Sequence, residues 1–436
     1  MPWLLLLACA PGTEADPGLA LSGNSPTVVE VSYPADAFAE GEAFVEFGVD
    51  GAFDRRAEFE AHGDGWRALL LGHKPLTEVE LRVVRVAEDG ELSPGETRSI
   101  TTGPTPSWLS PTLMDPAGGG LPLDGRLLLT TNVASPAAVL VIDGDGDFVW
   151  WTEYDLFGMI ARARLSLDGS SFLAMPVNVD GMQDGKLLRL GLDGSLVETI
   201  GFPGAHHDFV ELADGTIAAL THDVREIDGV EVRGDALVER SPDGSFRELW
   251  SAFDSFDPTE DDGAEEREDW THANSLAYVA ESDSWLVTLL GMRAVLNIDR
   301  QGEVVWALGG PGSTFQTPQG DPVELGRVHQ ATFSSTGSLL VFENGASDSD
   351  EGSSRGLELD LDAESEVAAT SWSYQPDPPL STFALGDVVE LKEGGRLVVF
   401  SSNGRIDQVS ADGQLQWRLS TSLGQTFGYA DLLDFP

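Results

Sequence analysis

Lysine is almost missing from this chain: Lys74, Lys186 and Lys392 are its three copies in 436 residues. Lysine and arginine together number 25 against 73 aspartates and glutamates, a formal net charge of −48. So acidic a surface repels phosphate backbones and anionic lipid, which excludes nucleic acid and anionic bilayers as partners. Cysteine occurs once, as Cys9, so neither an intrachain disulfide framework nor a Cys-x-x-Cys metal pair exists. No apolar run approaches the ~18 residues a membrane-spanning helix needs. Phosphate-binding loops, dinucleotide fingerprints and Gly-x-Ser-x-Gly elbows are also missing, so no nucleotide cofactor is expected. Histidine is scarce at seven, and five of the seven fall between residues 206 and 329.

What is abundant is turn chemistry. Forty-nine glycines and 24 prolines are scattered rather than clustered, and 41% of residues are hydrophobic, the mark of many short strands in a folded chain. Residues 26–103 alternate apolar and polar positions in Thr27–Val31, Ala43–Phe47, Trp66–Leu71 and Glu78–Val84, with turn residues between them. That spacing predicts a small β-sandwich of fibronectin type III character, closed by the stiff linker Thr101–Pro106. Beyond it a turn followed by a short strand ending in an aromatic or apolar residue recurs six times. The copies are Asp143–Trp151, Asp193–Ile200, Asp243–Trp250, Gln301–Trp306, Glu364–Trp372 and Asp412–Trp417. Their separation of about 45 to 65 residues is that of propeller blades. The expected fold is all-β: a six-bladed β-propeller over 104–436, preceded by the sandwich, with 1–25 as signal and tether.

Three histidines share a repeat position. His207 lies eight residues before Gly215, His329 eight before Gly337, and His272 starts the matching strand of the unit between them. Equivalent positions of successive repeats lie at equivalent radius and height, and the innermost strand of a blade lines the channel. Three imidazoles are therefore expected to converge. His206 and His222 lack this repeated context. Converging imidazoles suit covalent catalysis, but they equally suit a divalent metal. A non-catalytic propeller that binds a partner through its surface is the third reading.

The segments His206-His207-Asp208, Asp269-Trp270-Thr271-His272-Ala273-Asn274-Ser275, Arg293 before Asn297-Ile298-Asp299, Val304–Gly310, His329-Gln330-Ala331 and Phe342–Gly345 come in one order over residues ~110 to 436. In this the chain resembles the bacterial arylsulfate sulfotransferase family. The resemblance implies transfer of a sulfuryl group from a phenolic sulfate ester to a phenol, with no nucleotide donor, through a transiently sulfated histidine. It implies His329 as the nucleophile, with His207, His272, Asn274 and Arg293 holding the sulfate oxygens. It also implies a small β domain ahead of the propeller. The chain departs from the family in Leu289–Met292 before Arg293, and in Gly386-Asp387 where a histidine would repeat.

Two further expectations concern the periphery. Leu4–Cys9 is a short apolar run ending in a small residue and cysteine, and it resembles a bacterial lipobox. This implies a lipid on Cys9 and a periplasmic or cell-surface location. The acidic run Asp254–Asp269, with Asp257, Glu260, Asp261, Asp262, Glu265, Glu266 and Glu268, and the group Asp348, Asp350 and Glu351, read as solvated loops with calcium as their candidate ligand.

Overall fold

The computed structural model describes residues 17–109, 112–115, 122–133, 135–154, 158–177, 185–259, 269–345, 352–421 and 427–433. Cys9, the carboxylates between 260 and 268, and Asp348, Asp350 and Glu351 lie outside the described residues. Two compact units divide between Thr105 and Pro106.

The smaller unit has two antiparallel sheets. One orders Gly18–Leu21, Val29–Pro34, Gly65–Leu70 and Glu60–His62. The other orders Arg55–Glu58, Ala43–Gly48, Glu78–Val86 and Leu92–Pro94, with Arg98–Thr101 also on Glu78–Val86. Inward residues of both, among them Val29, Val31, Val45, Phe47, Leu70 and Leu81, form one core. This is the alternation of a sandwich, in which each strand buries every second side chain. The four strands read from the sequence are present. Residues 18–21 correct the expected tether: they pair with Val29–Ser32 and belong to the first sheet. The alternation there is too short to stand out beside Pro17 and Gly23.

The larger unit contains six antiparallel sheets among the described residues, each at least four strands deep. Four are continuous stretches of chain, starting with Met159–Leu165, Ala205–Glu211, Ala273–Val279 and Val328–Phe333. These leading strands lie side by side in sequence order, and Asp387–Glu390 of the last sheet lies beside Val328–Phe333. The remaining two sheets exchange the ends of the unit. Thr112–Asp115 pairs with Leu415–Thr421 at the outer edge of the last sheet. Asp431–Leu433 pairs with Leu127–Leu129 and takes the innermost place in the first sheet.

Five of the six repeated turns have the same local cause, and in the sixth Glu366 takes the left-handed position at φ 56°. Gly146, Gly194, Gly244, Gly302 and Gly413 adopt φ of 79 to 87°, which costs a residue with a Cβ but not glycine. The outer strand that follows carries a β-bulge in all six sheets. The bulge raises local twist. Aromatic residues at these outer strands, including Trp150, Trp250 and Trp417, then bury against neighbouring sheets. No helix among the described residues is long and apolar enough to cross a membrane.

Candidate active site

Residues from all six sheets line one cavity of about 580 Å³, at the end where the leading strands begin. Val133, Met159, Ala161, Val177, Leu290, Phe383 and Leu385 give it an apolar wall, while His207, Asp269, His272, Arg327 and His329 give it a polar one. The three repeat-position histidines thus share a single cavity. The reason is local: the leading strands carry register shifts at His206/Phe209, Ala273/Ser275 and Val328/Gln330. A bulge re-aims the side chain beside it. His207 and His272 also take left-handed backbone conformations, with φ of 58° and 46°. Such strain in non-glycine residues costs about 1–3 kcal/mol each and concentrates where function requires it.

His329 is almost fully buried, and the bonds at its two nitrogens define its tautomer. Asn344 uses its amide N–H groups on the carbonyls of Thr382 (2.9 Å) and Leu385 (2.6 Å). Its Oδ1 is therefore an acceptor, and His329 Nδ1–H donates to it at 2.6 Å. The lone pair is left on Nε2, where the Leu385 N–H donates at 3.1 Å. Burial, the charge of His272 and the nearby Arg327 hold the His329 pKa down at about 3, against the hydrogen bond to Asn344. The ring is neutral at physiological pH, with a defined nucleophilic nitrogen.

His272 is its electrostatic opposite. Burial disfavours its charge, but the hydrogen bond of Nδ1 to Asp269 Oδ2 at 2.5 Å and the charges of Asp269 and Asp235 win, raising its pKa above the usual value. Asp269 is itself held by Arg233 at 3.4 Å and keeps a lowered pKa. His207 is buried against His206, with Nδ1 of each ring 2.8 Å apart. Its ring centroid is 5.3 Å from that of His272. The cavity thus holds two imidazoles whose pKa values are pushed apart, His329 down and His272 up.

Asn274 and Arg293, both expected to hold sulfate oxygens, do not line the cavity. Asn274 is fully buried: its amide donates to Val328 O at 3.0 Å, and its Oδ1 accepts from Thr288. It braces the strand that carries His329. Arg293 is exposed and sits in the Leu290–Arg293 turn rather than in a strand, at φ 54°. The arginine that does line the cavity is Arg327. It precedes His329 by two, at the bend that leads into the strand Val328–Phe333. Asn344, Leu385 and Phe383 were not among the expected site residues either. Asn344 was visible only as part of Phe342–Gly345, and a backbone N–H at Leu385 leaves no trace in residue identity.

Asp387 stands where a fourth histidine would repeat. It accepts from the Ala430 N–H at 3.0 Å and from Arg162 at 3.4 Å. Gly386 before it has φ 127°, and a Cβ there would lie 2.1 Å from the Phe342 ring. Only glycine fits, and its fit positions Leu385 against His329.

The three cavity imidazoles do not bring three ligand atoms within 4.8 Å of one another among the described residues.

The family model for arylsulfotransferases matches residues 121–417. The arylsulfate sulfotransferase of Escherichia coli O6:H1 (strain CFT073) is 22% identical, over 53% of this chain and 48% of that protein. The chain thus spans about half the length of this curated relative. Among solved structures, a Bacteroides caccae protein of unknown function is 13% identical with a TM-score of 0.47, covering 70% of this chain and 98% of that one. A streptogramin B lyase is 11% identical with a TM-score of 0.41, covering 73% and 90%. With the matched region holding every residue of the cavity, this chain belongs to the arylsulfotransferase family.

Proposed function

We propose that the larger unit is a six-bladed β-propeller, preceded by a fibronectin type III-like domain, that moves a sulfuryl group from an aryl sulfate to a phenol through sulfated His329. The observation that carries this is the His329 ring: neutral, with its proton fixed on Nδ1, in a cavity lined mostly by apolar side chains.

In the first step His329 Nε2 attacks sulfur, once the Leu385 N–H turns away from its lone pair, and the sulfur–aryloxide bond breaks. His272, charged through Asp269, gives its cavity-facing proton to the departing aryloxide. Arg327 and the other polar-wall donors stabilise charge on the sulfuryl oxygens. The sulfated ring keeps its Nδ1–H on Asn344. An amide supports that cationic ring less than a carboxylate would, so the sulfuryl group remains easy to lose. In the second step the acceptor phenol loses its proton to neutral His272, its oxygen attacks sulfur, and the N–S bond breaks, restoring both histidines. Phe383, 78% exposed at the apolar wall, offers a face for the aryl ring. No step requires a nucleotide.

The test is transfer from an aryl sulfate to a phenol by purified protein, with intact-mass detection of one sulfuryl group on the chain when acceptor is withheld. His329→Ala is expected to abolish both. Transfer that survives this change rules the reading out. Phe383→Ala is expected to raise KM for the aryl donor about tenfold, the effect of roughly 1–2 kcal/mol of lost ring contact, with a smaller change in kcat. Lipidation of Cys9 completes the proposal, and metabolic labelling with a tagged fatty acid, lost in Cys9→Ser, checks it.

A further inference from the structure

Behind the polar wall lies a group with no part in the chemistry above. His206 Nε2 is 3.0 Å from Asp235 Oδ1, and His222 Nδ1 is 3.7 Å from the same oxygen. His206 and Asp235 are 2% and 1% exposed. Despite these separations, none of the three atoms has a hydrogen-bond partner of acceptable geometry. All three face one another, within 4.8 Å.

We infer that His206, His222 and Asp235 bind a divalent metal ion of the zinc class. A tetrahedral centre with bonds of about 2.0–2.2 Å separates its ligand atoms by roughly 3.3–3.5 Å, between the two separations found. Two imidazoles and one carboxylate suit zinc-like ions; calcium prefers oxygen ligands alone. The surroundings are those of a supported metal ligand set. The second Asp235 oxygen accepts from Thr271 Oγ1 and the Ala273 N–H, both at 2.6 Å. The second His206 nitrogen meets His207 Nδ1 at 2.8 Å. Ligating carboxylates and imidazoles characteristically have their distal atoms fixed in this way. The His206 and His222 rings now stack, with centroids 4.0 Å apart and planes 13° apart. A metal lies in the plane of each ligating ring, so loading requires His222 to turn out of the stack while His206 keeps its contact with His207.

The site reaches the cavity through one proton. A metal on His206 Nε2 places that ring's proton on Nδ1, which donates to His207 Nδ1. His207 then carries its own proton on Nε2. Without a metal, His206 has Nε2–H beside Asp235, Nδ1 accepts from His207, and His207 Nε2 is a bare lone pair. An anionic substrate needs the N–H. This consequence rests on the sulfotransfer reading; metal binding does not.

The experiment strips the purified full-length chain with chelator, dialyses it against zinc, and measures bound metal by mass spectrometry. Absorption of the cobalt-loaded form reports coordination. One ion per chain is expected, retained in His329→Ala and bound at least a hundredfold more weakly in His222→Ala, whose fold is checked by circular dichroism. Asp235→Asn adds a second ligand variant. Failure of the wild type to retain an ion overturns the inference, as does undiminished binding in His222→Ala or loss in His329→Ala alone. An active enzyme that takes up no ion sinks this inference only, and metal-bound protein without transferase activity sinks only the proposed reaction.

Discussion

At His329 the neighbours, not the ring, decide which nitrogen reacts. Asn344 can accept from Nδ1 only because its amide N–H groups are committed to Thr382 and Leu385. Asn344→Leu releases the tautomer, and kcat is expected to fall roughly 10²-fold or more, an effect comparable in kind to tautomer loss in catalytic triads, with KM for the aryl sulfate little changed. His272 gives a pH signature. Its pKa is raised by Asp269, so it is charged further into the neutral range than an ordinary histidine. Asp269→Asn is expected to move the alkaline limb of the kcat profile to lower pH, which a pH–rate series reads directly. The same pair contributes stability that is full below the unfolded-state value of about 6.5 and is lost as pH rises through the folded pKa.

At the scale of elements, the bulges and the Gly386 turn do the aiming. The leading strands of the His207, His272 and His329 sheets each shift register beside their histidine, so a common repeat position becomes a common cavity wall. Gly386→Ala places a Cβ against Phe342 in a backbone conformation that resists one. A loss of about 3 kcal/mol in denaturant unfolding is expected, the upper end of overpacking effects, together with impaired turnover as Leu385 shifts. These elements also explain what the sequence revealed. The repeat was legible because its Asp-Gly turns require a particular backbone and its tryptophans a particular burial, both written in residue identity. The convergence of His207, His272 and His329 was legible because repeats map position onto radius. Arg293 and Asn274 lie off the cavity lining, since motif order says nothing of which way a turn or a bulged strand points. Arg327 was not read from the sequence, because the bend it occupies and the register shift beside His329 break the alternation that would link the two. The His206–His222–Asp235 group could not be read at all, since His222 and Asp235 meet only across the paired strands Ile217–Ile227 and Val230–Arg240.

At the scale of the whole larger unit, the centre below the cavity is held by charge. Arg162 lies 3.2 Å from Asp208 and 3.4 Å from Asp387, with its guanidinium over the Tyr429 ring. It joins three sheets. Burial pushes the Asp387 carboxyl up to about 6, with Arg162 pulling the other way. Removing one member of a buried pair costs about 3–5 kcal/mol, so Arg162→Leu is expected to lower stability by that order. Because an acid with a raised folded pKa gains stability as pH falls through it, the deficit is expected to be smaller at pH 5 than at pH 8 in urea unfolding. Acid has the opposite effect through His73 and His329, both held neutral with pKa values of about 3. Each unit loses stability as pH falls from about 6.5 towards 3, because the unfolded chain takes up protons that these folded rings refuse. The exchange of end strands carries a kinetic consequence. The sheet begun by Leu127–Asn132 lacks its innermost strand until Asp431–Leu433 arrives, so a ribosome must deliver some 300 further residues before that sheet can be completed. Pairing over so great a separation slows folding, and once formed it obliges the unit to release Asp431–Leu433 before that sheet can open. A unit closed in this way is expected to persist through the height of its unfolding barrier, a rate property distinct from its equilibrium stability, which unfolding kinetics in denaturant measure.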